Sequence, residues 1–354
     1  YNLNGTVKWE YTPSYINEPG PGIHFNHAQI AYDKDGELSV FVSIRDMNCI
    51  AKLNFTSGAE LWKLGGIVSD FNVTDLDGHR YVVGDGHGAF THQHNAEYIG
   101  DGKFALFDNG YNGSWVRDSR MVIMDVDEDN LEATVTWEWQ TGVHAQIFGD
   151  ADPLPTGNVV GTFWPATVHT TSSDIRESFE ASAVEVTRNG SIAWMLGVKG
   201  TNERVSDYAR YDGEAPIGWA FYSVERFYTS LLIKGATMDT SSGMVSFSVY
   251  NTHRQQFDLS ATANITCGGV TVTQPIMIAA HWQDTKVSQA FEDMGSSCEV
   301  SVSTQDNSVS ATLSSDTSSG SSPPVAGSSP SVAGSGSGDG YGQQAEQASP
   351  HTRR

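Results

Sequence analysis

The sequence predicts an all-β chain in three parts: blades of a partial β-propeller over residues 1–227, a small β-sandwich over 228–302 and a disordered tail over 303–354. Three observations carry this. Thirty-six glycines and a charged fraction of only 18% suit short strands joined by turns, many of which need a positive φ. A turn followed by a tryptophan-bearing strand recurs through the first part, with Trp9, Trp62, Trp137 and Trp194 as its markers. Beyond residue 302 large apolar side chains almost vanish, so little is left to bury.

The recurring phrase begins at Asn4-Gly5, with residues 7–11 alternating as a strand does. It returns at Ser57-Gly58, ahead of residues 134–139, and at Asn189-Gly190. The marker spacings are 53, 75 and 57 residues. A propeller blade is four short strands in about 40–50 residues, so these read as blades lengthened by loops. The tryptophans are expected to pack between blades and to carry no chemistry. Blades fall at 24–64, 89–140 and 144–197, with the end of an earlier one at 1–12. Three and a fraction blades leave an open sheet edge, so further blades are expected ahead of Tyr1. Residues 221–228 are expected to form the strand that ends the propeller. After them, short strands at 231–233, 245–250, 259–265, 270–272 and 276–280 read as the sandwich, with Cys267 and Cys298 paired.

The formal net charge of −22 argues against nucleic acid and against an anionic membrane surface as main partner. Any anion site must therefore be built from a few placed Arg, His and backbone N–H groups. No run of about 18 apolar residues is present to span a membrane. Cys49 reads as a buried thiol. Sequons at Asn4, Asn54, Asn72, Asn112, Asn189 and Asn264, with the cysteine pair, point to a secreted or secretory-lumen protein. With neither an initial Met nor a signal peptide, the sequence reads as a mature or truncated form.

The chemistry is expected among His24, His27, His87, His92 and His94. His27 and His94 each open a first strand, the strand that lines a propeller's channel, and Arg45 ends a second strand near the same mouth. A neutral imidazole can attack sulfur or phosphorus, and a second can act as acid or base. A guanidinium fork suits sulfate oxygens. Transfer of such a group is mostly positioning and cationic stabilisation. The same residues leave a metal site open, since His92-Gln93-His94 would share a strand face, although no matching acidic set accompanies it. His144 is a further candidate for the channel. His24 and His92 read as polar loop residues.

Taken together and in order, these motifs resemble the nucleotide-independent arylsulfate sulfotransferase family. Its members carry an H-x-N-S phrase, S-x-R eighteen residues after that His, W-x-L-G-G, Q-H-D-A and a D-N-G turn. Here they are met by His27-Ala28-Gln29-Ile30, Ser43-Ile44-Arg45, Trp62-Lys63-Leu64-Gly65-Gly66, Gln93-His94-Asn95-Ala96 and Asp108-Asn109-Gly110. The resemblance runs from residue 1 to about 227. It implies a six-bladed propeller that moves a sulfuryl group from an aryl sulfate donor to a phenolic acceptor, both small molecules, with no nucleotide and no redox cofactor. It also implies roles: His94 as the nucleophile that carries the sulfuryl group, His27 and Arg45 as its binding partners. Gln29-Ile30 stands in place of Asn-Ser, Asp46 follows Arg45, and Asn95 stands in place of Asp. A further active-site His of the family has no counterpart here. A non-catalytic propeller that binds sulfated or phenolic ligands, and a sulfate-ester hydrolase, are the alternatives.

Overall fold

A computed structural model of the chain describes residues 5–13, 23–84, 88–111, 116–200, 207–210 and 218–314. His87, the sequons at Asn4 and Asn112, and the tail from residue 315 onward lie outside them. The chain is all-β, and its only α-helix among the described residues is one turn, α1 (Ile175–Ser178).

The first sheet is an antiparallel meander of β1 (Phe25–Tyr32), β2 (Leu38–Ile44), β3 (Cys49–Asn54) and β4 (Glu60–Leu64). The second holds β5 (Asn72–Thr74), β6 (Arg80–Tyr81), β7 (His94–Tyr98), β8 (Lys103–Asp108), β9 (Arg120–Asp127) and β10 (Glu132–Gln140), in the order β6-β5-β10-β9-β8-β7. Next come β11 (Asp152–Pro153), β12 (Val159–Phe163), β13 (Thr167–Val168), β14 (Ala181–Val186), β15 (Ile192–Val198) and β16 (Tyr208–Ala209). The third sheet is β11-β12-β14-β15, and β13 pairs with β16 at its side. The antiparallel runs β1–β4, β7–β10 and β11-β12-β14-β15 fall, but for Val198, within the units at 24–64, 89–140 and 144–197. By contrast, β5 and β6 (residues 72–81) lie outside those units and extend the second sheet, β5 pairing in parallel with β10.

Each sheet packs on the next through alternating faces. Successive side chains of a strand point to opposite sides. In β8, Phe104 and Leu106 join a core with Phe41 and Trp62 of the first sheet. Their neighbours Ala105 and Phe107 join a second core with Val159, Phe163 and Val184 of the third. This is why β8 and β9 are buried along almost their whole length.

Three of the four marker tryptophans tie one sheet to the next, while Trp194 donates to Glu185 Oε2 at 2.6 Å within its own sheet. The indole N–H of Trp62 donates to Glu128 Oε2 at 2.8 Å, at the β9–β10 turn of the following sheet. That of Trp137 donates to the Arg188 carbonyl at 3.1 Å, at the β14–β15 turn of its successor. Trp9 does the same to Phe55 O at 2.9 Å, at the β3–β4 turn. Residues 5–13 thus stand to the first sheet as the first stands to the second. Gly58 has φ 72° in that turn, and a Cβ there would lie 2.5 Å from the Trp9 ring.

The C-terminal module has β17 (Leu232–Asp239), β18 (Met244–Tyr250), β19 (Leu259–Cys267), β20 (Val270–Ile278), β21 (Thr285–Ala290), β22 (Ser297–Ser303) and β23 (Ser308–Ser314). They form two sheets, β17-β18-β21 and β20-β19-β22-β23, around one core that includes Phe247, Val249, Ile265 and Val300. Cys267 and Cys298 sit opposite each other on β19 and β22 and form a disulfide.

Three expectations are corrected. Residues 221–228 form no strand; they run extended, and Tyr222 O accepts from Thr162 Oγ1 at 3.1 Å. The two short strands at 270–272 and 276–280 are one strand, β20; Pro275 is tolerated within it because β20 is a sheet edge. The sheet also runs past residue 302. β23 is Ser/Thr-rich on one face, which hides it in composition, while Val309, Ala311 and Leu313 on the other face pack on the core. Ending the chain after Val302 should therefore cost about 2 kcal/mol or more of stability relative to an end after Ser314. Calorimetry of the two forms decides this, and equal melting temperatures would show that β23 contributes nothing.

Candidate active site

The first strands of the first two sheets, β1 and β7, lie against each other. Each carries a bulge at its histidine. In β1, Phe25 faces Ile44 while His27 faces Ser43. In β7, His94 faces Phe107 and Glu97 faces Ala105, with Asn95 at φ 48° between them. A bulge leaves a residue out of the ladder and re-aims its neighbours, a common device beside binding sites. Asn tolerates the left-handed region better than the Asp-free apolar alternatives of a strand.

Amide side chains pin the two strands together. Tyr98 N donates to Gln29 Oε1 at 2.7 Å, and Gln29 Nε2 donates back to Tyr98 O at 2.9 Å. Gln29, a departure from the family phrase, thus pairs with β7 as a strand would. Gln93 Nε2 donates to Ser43 Oγ at 3.1 Å and to Cys49 O at 3.0 Å. Asn26 Nδ2 donates to Gln93 O at 2.6 Å.

His94 is 2% exposed. Its Nδ1 lies 2.8 Å from Asn109 Oδ1 and 3.1 Å from the His92 carbonyl. Asn109 Nδ2 donates to Ala145 O at 2.7 Å and to Phe148 O at 2.9 Å, so its Oδ1 is left to accept. With two acceptors facing it, Nδ1 carries the proton, and the lone pair is on Nε2. Nε2 has no hydrogen-bond partner among the described residues. Burial holds the imidazole's pKa down to about 4, opposed by the Asn109 bond and reinforced by Arg45. His94 is therefore a neutral imidazole with a free Nε2 at neutral pH. The D-N-G motif supplies this: Asp108 closes the turn onto Thr91 N and Gly110 N, both at 3.0 Å, and Asn109 sets the tautomer.

Arg45 follows β2 in a short 3-10 turn, where its Nε donates to Asp46 Oδ1 at 2.8 Å. Its charge also depresses the protonation of His92, whose burial is the larger cause. Two rings flank His94: Phe148 at 6.4 Å and Tyr222 at 5.9 Å between centroids. Tyr222 is held by its hydroxyl, which donates to Asn26 O at 2.7 Å. Sequence reasoning missed both rings, and Asn109 was legible only as a turn.

His27 Nε2 lies 3.7 Å from Glu97 Oε1 and has no hydrogen-bond partner among the described residues. Burial, then the nearby Arg254 charge, brings its pKa down to about 4. Burial likewise pushes Glu97, Asp150 and Asp152 above the usual carboxylate range. Glu97 follows the Q-H-N-A phrase and the Asp pair opens the third sheet, but no pattern in the sequence links them. The structure thus brings His27, His94 and Arg45 to one end of the paired first strands. It does not place His92 on a face with His94: His92 precedes β7 at φ 51°, and its carbonyl accepts from His94 Nδ1. Among the described residues no three His, Cys, Asp or Glu side chains group as metal ligands. His144 is half-buried, with Nδ1 3.1 Å from Arg117 O, and its ring lies 6.2 Å from that of Tyr111.

Residues 22–196 match the family model described as Arylsulfotransferase (ASST). This segment belongs to the arylsulfotransferase family. The match supports a sulfotransferase-type activity and small aryl substrates, and it ends before the C-terminal module. No curated protein matches the chain. Among solved structures, hydrazine synthase of Kuenenia stuttgartiensis is similar at 9% identity over 84% of this chain and 81% of that one, with a TM-score of 0.22, too low to carry an argument. No helix among the described residues is long and apolar enough to cross a membrane.

The folded chain holds His94 with a lowered proton affinity, from 6.5 to about 4. Between those values the unfolded chain binds more protons, so this group's contribution is full above pH 6.5 and is lost as pH falls toward 4. Replacing His94 by Gln should therefore flatten the stability-against-pH curve in that window by up to about 1.4 kcal/mol per pH unit. Urea unfolding of both proteins from pH 7 to 4 measures it; identical slopes would refute the depressed titration.

Proposed function

We propose that the chain is an arylsulfotransferase-like enzyme that moves a sulfuryl group from an aryl sulfate to a phenol through His94. In this reading the first three sheets are propeller blades, which the repeated tryptophan-to-next-turn contact supports. The single observation that carries the chemistry is Asn109 Oδ1, 2.8 Å from His94 Nδ1, which leaves Nε2 as the free base.

The reaction runs in two halves. Nε2 attacks the ester sulfur; an N–S bond forms as the aryl S–O bond breaks, and the phenolate leaves and takes a proton from solvent. The acceptor's oxygen then attacks the sulfur; a new S–O bond forms, the N–S bond breaks and its electron pair returns to Nε2, while the acceptor's proton is released. Positive charge that develops on the ring is met by Asn109 Oδ1 and His92 O. Arg45 and His27 serve the three sulfuryl oxygens, and Phe148 and Tyr222 offer ring faces to an aryl group. The sulfate ester itself carries the transferable group, so neither nucleotide nor redox cofactor enters. The Cys267–Cys298 bridge, and the exposed sequon at Asn189, favour a secreted or secretory-lumen site.

One observation favours a binding role instead: Asp46 occupies the Nε edge of Arg45 and offsets part of its charge. The full chain incubated with p-nitrophenyl sulfate, with and without phenol, separates the readings. Transfer predicts phenol-accelerated release of nitrophenol and a sulfuryl adduct on His94 by intact mass and peptide mapping. A folded protein that gives neither sinks the enzyme reading, and release indifferent to phenol favours the hydrolase. His94→Ala should abolish turnover. Asn109→Ala, which frees the tautomer, should lower kcat by about 100-fold and alter KM less.

A further inference from the structure

We propose that Arg254, delivered by the C-terminal module, is a positioning residue for His27: it clamps Glu97 beneath the imidazole and so makes that module part of the site. The proposal rests on the functional reading above for its catalytic meaning, though not for its geometry.

Arg254 lies between β18 and β19, beyond the segment that matches the family. Its side chain is only 6% exposed, although the residue as a whole is half-buried. Its Nη2 forms an ion pair with Glu97 Oε2, and its Nη1 lies 2.8 Å from Asp152 Oδ1. Glu97 is on β7 and Asp152 opens β11, so one guanidinium spans the first strands of the second and third sheets. The other oxygen of Glu97 is the one 3.7 Å from His27 Nε2, on the first strand of the first sheet. Two residues along the same loop, Gln256 Oε1 accepts from Gln29 Nε2 at 2.9 Å, two residues after His27. Side chains of a single loop therefore touch strands of all three sheets where those strands meet.

The charge count gives the clamp a purpose. One guanidinium faces three buried carboxylates, Glu97 from β7 and Asp150 and Asp152 from the start of the third sheet, with Glu225 of the extended segment adding to their field. Buried charge in excess of its partners is removed by retained protons. Burial pushes both Glu97 and Asp152 upward, against the Arg254 charge, and Glu97 Oε1 is held 3.7 Å from His27 Nε2. Arg254 biases which oxygen of Glu97 faces the imidazole by charge, since Nη2 pairs with Glu97 Oε2 and Nη1 with Asp152 Oδ1 at ion-pair distance without hydrogen-bond geometry. Asn95 adds no charge; its amide is engaged on Asp150.

The test reads histidine titration directly and needs no turnover. In the full chain labelled with 15N-histidine, Arg254→Gln should move the His27 midpoint upward by about one unit or more, since a cation that opposes the imidazolium is gone. His94 faces Arg45 and not Arg254, so its midpoint should stay put. A general loosening of the fold would move both. If R254Q does not fold, the pair E97Q/R254Q, which leaves no carboxylate at position 97 to be stranded, is read in the same way. An unmoved His27 midpoint in whichever variant folds overturns the proposal, as does an equal shift of His94. Where the wild type transfers sulfuryl groups, R254K, which keeps the charge and loses the fork, should lower kcat about tenfold with KM nearly unchanged. Absence of turnover in the wild type with the His27 shift intact would fault the sulfotransferase reading alone. Turnover with an unmoved His27 would fault the clamp alone.

Discussion

Stacking of sheet on sheet is the constraint on which residues 25–198 depend. A sheet with a neighbour on each side must be apolar on both faces, and β8 shows it: Phe104 and Leu106 serve one core, Ala105 and Phe107 the other. Nothing polar can enter these faces without a partner. The outer strands are then fastened by a directed bond, the indole N–H of Trp9, Trp62 and Trp137 to a turn of the next sheet. Area alone would leave the sheets free to slide; a buried donor with one acceptor in reach sets the register between them.

Polar side chains are consequently gathered at the strand ends, where β1 meets β7 and where the turns after β2 and β8 carry Arg45 and Asn109. There the polar side chains belong to one sheet and their partners to the next. The Gln93 amide nitrogen, just before the second sheet's β7, donates to Ser43 and Cys49 of the first, and Gln29 of the first pairs with Tyr98 of the second. The same economy prepares His94. Asn109 is buried, its amide hydrogens go to Ala145 and Phe148, and among the described residues its side-chain oxygen faces the imidazole alone. A tautomer fixed in this way costs nothing further when a substrate arrives, which is the physical content of preorganisation.

The C-terminal module meets this arrangement on its polar side. Its core is separate from the two cores between the sheets. It meets β1 and the β7 end through both polar and ring contacts: Arg254 with Glu97, Gln256 with Gln29 and Gln283 Nε2 with Ile99 O, beside the Phe257 ring on Tyr32 and His281 on Tyr98. The polar contacts are directional, so they orient groups more than they add adhesion. Against the third sheet the module adds an apolar contact, with Tyr250 and Trp282 clustered on Leu154 and Val160.

The sequence by itself determined the all-β class and the cysteine pairing, and it marked the four-stranded runs of the three sheets though not the addition of β5 and β6 to the second. Tryptophans and glycine turns recur at blade-like spacing, and alternating apolar residues report a strand wherever its faces differ. It also carried the ordered motifs around His27, Arg45 and His94, because those phrases sit within single strands and turns. It did not disclose β23, where small Ser and Thr residues mask a face of only three apolar side chains. Nor did it disclose the continuity of β20 through Pro275, since only the sheet order makes that strand an edge. The tautomer of His94, the approach of Tyr222 and Phe148, and the Glu97–Arg254–Asp152 cluster were decided by tertiary structure alone. Each joins residues from different sheets or from far along the chain, and local patterning holds no information about which buried polar groups must satisfy one another once sheets stack.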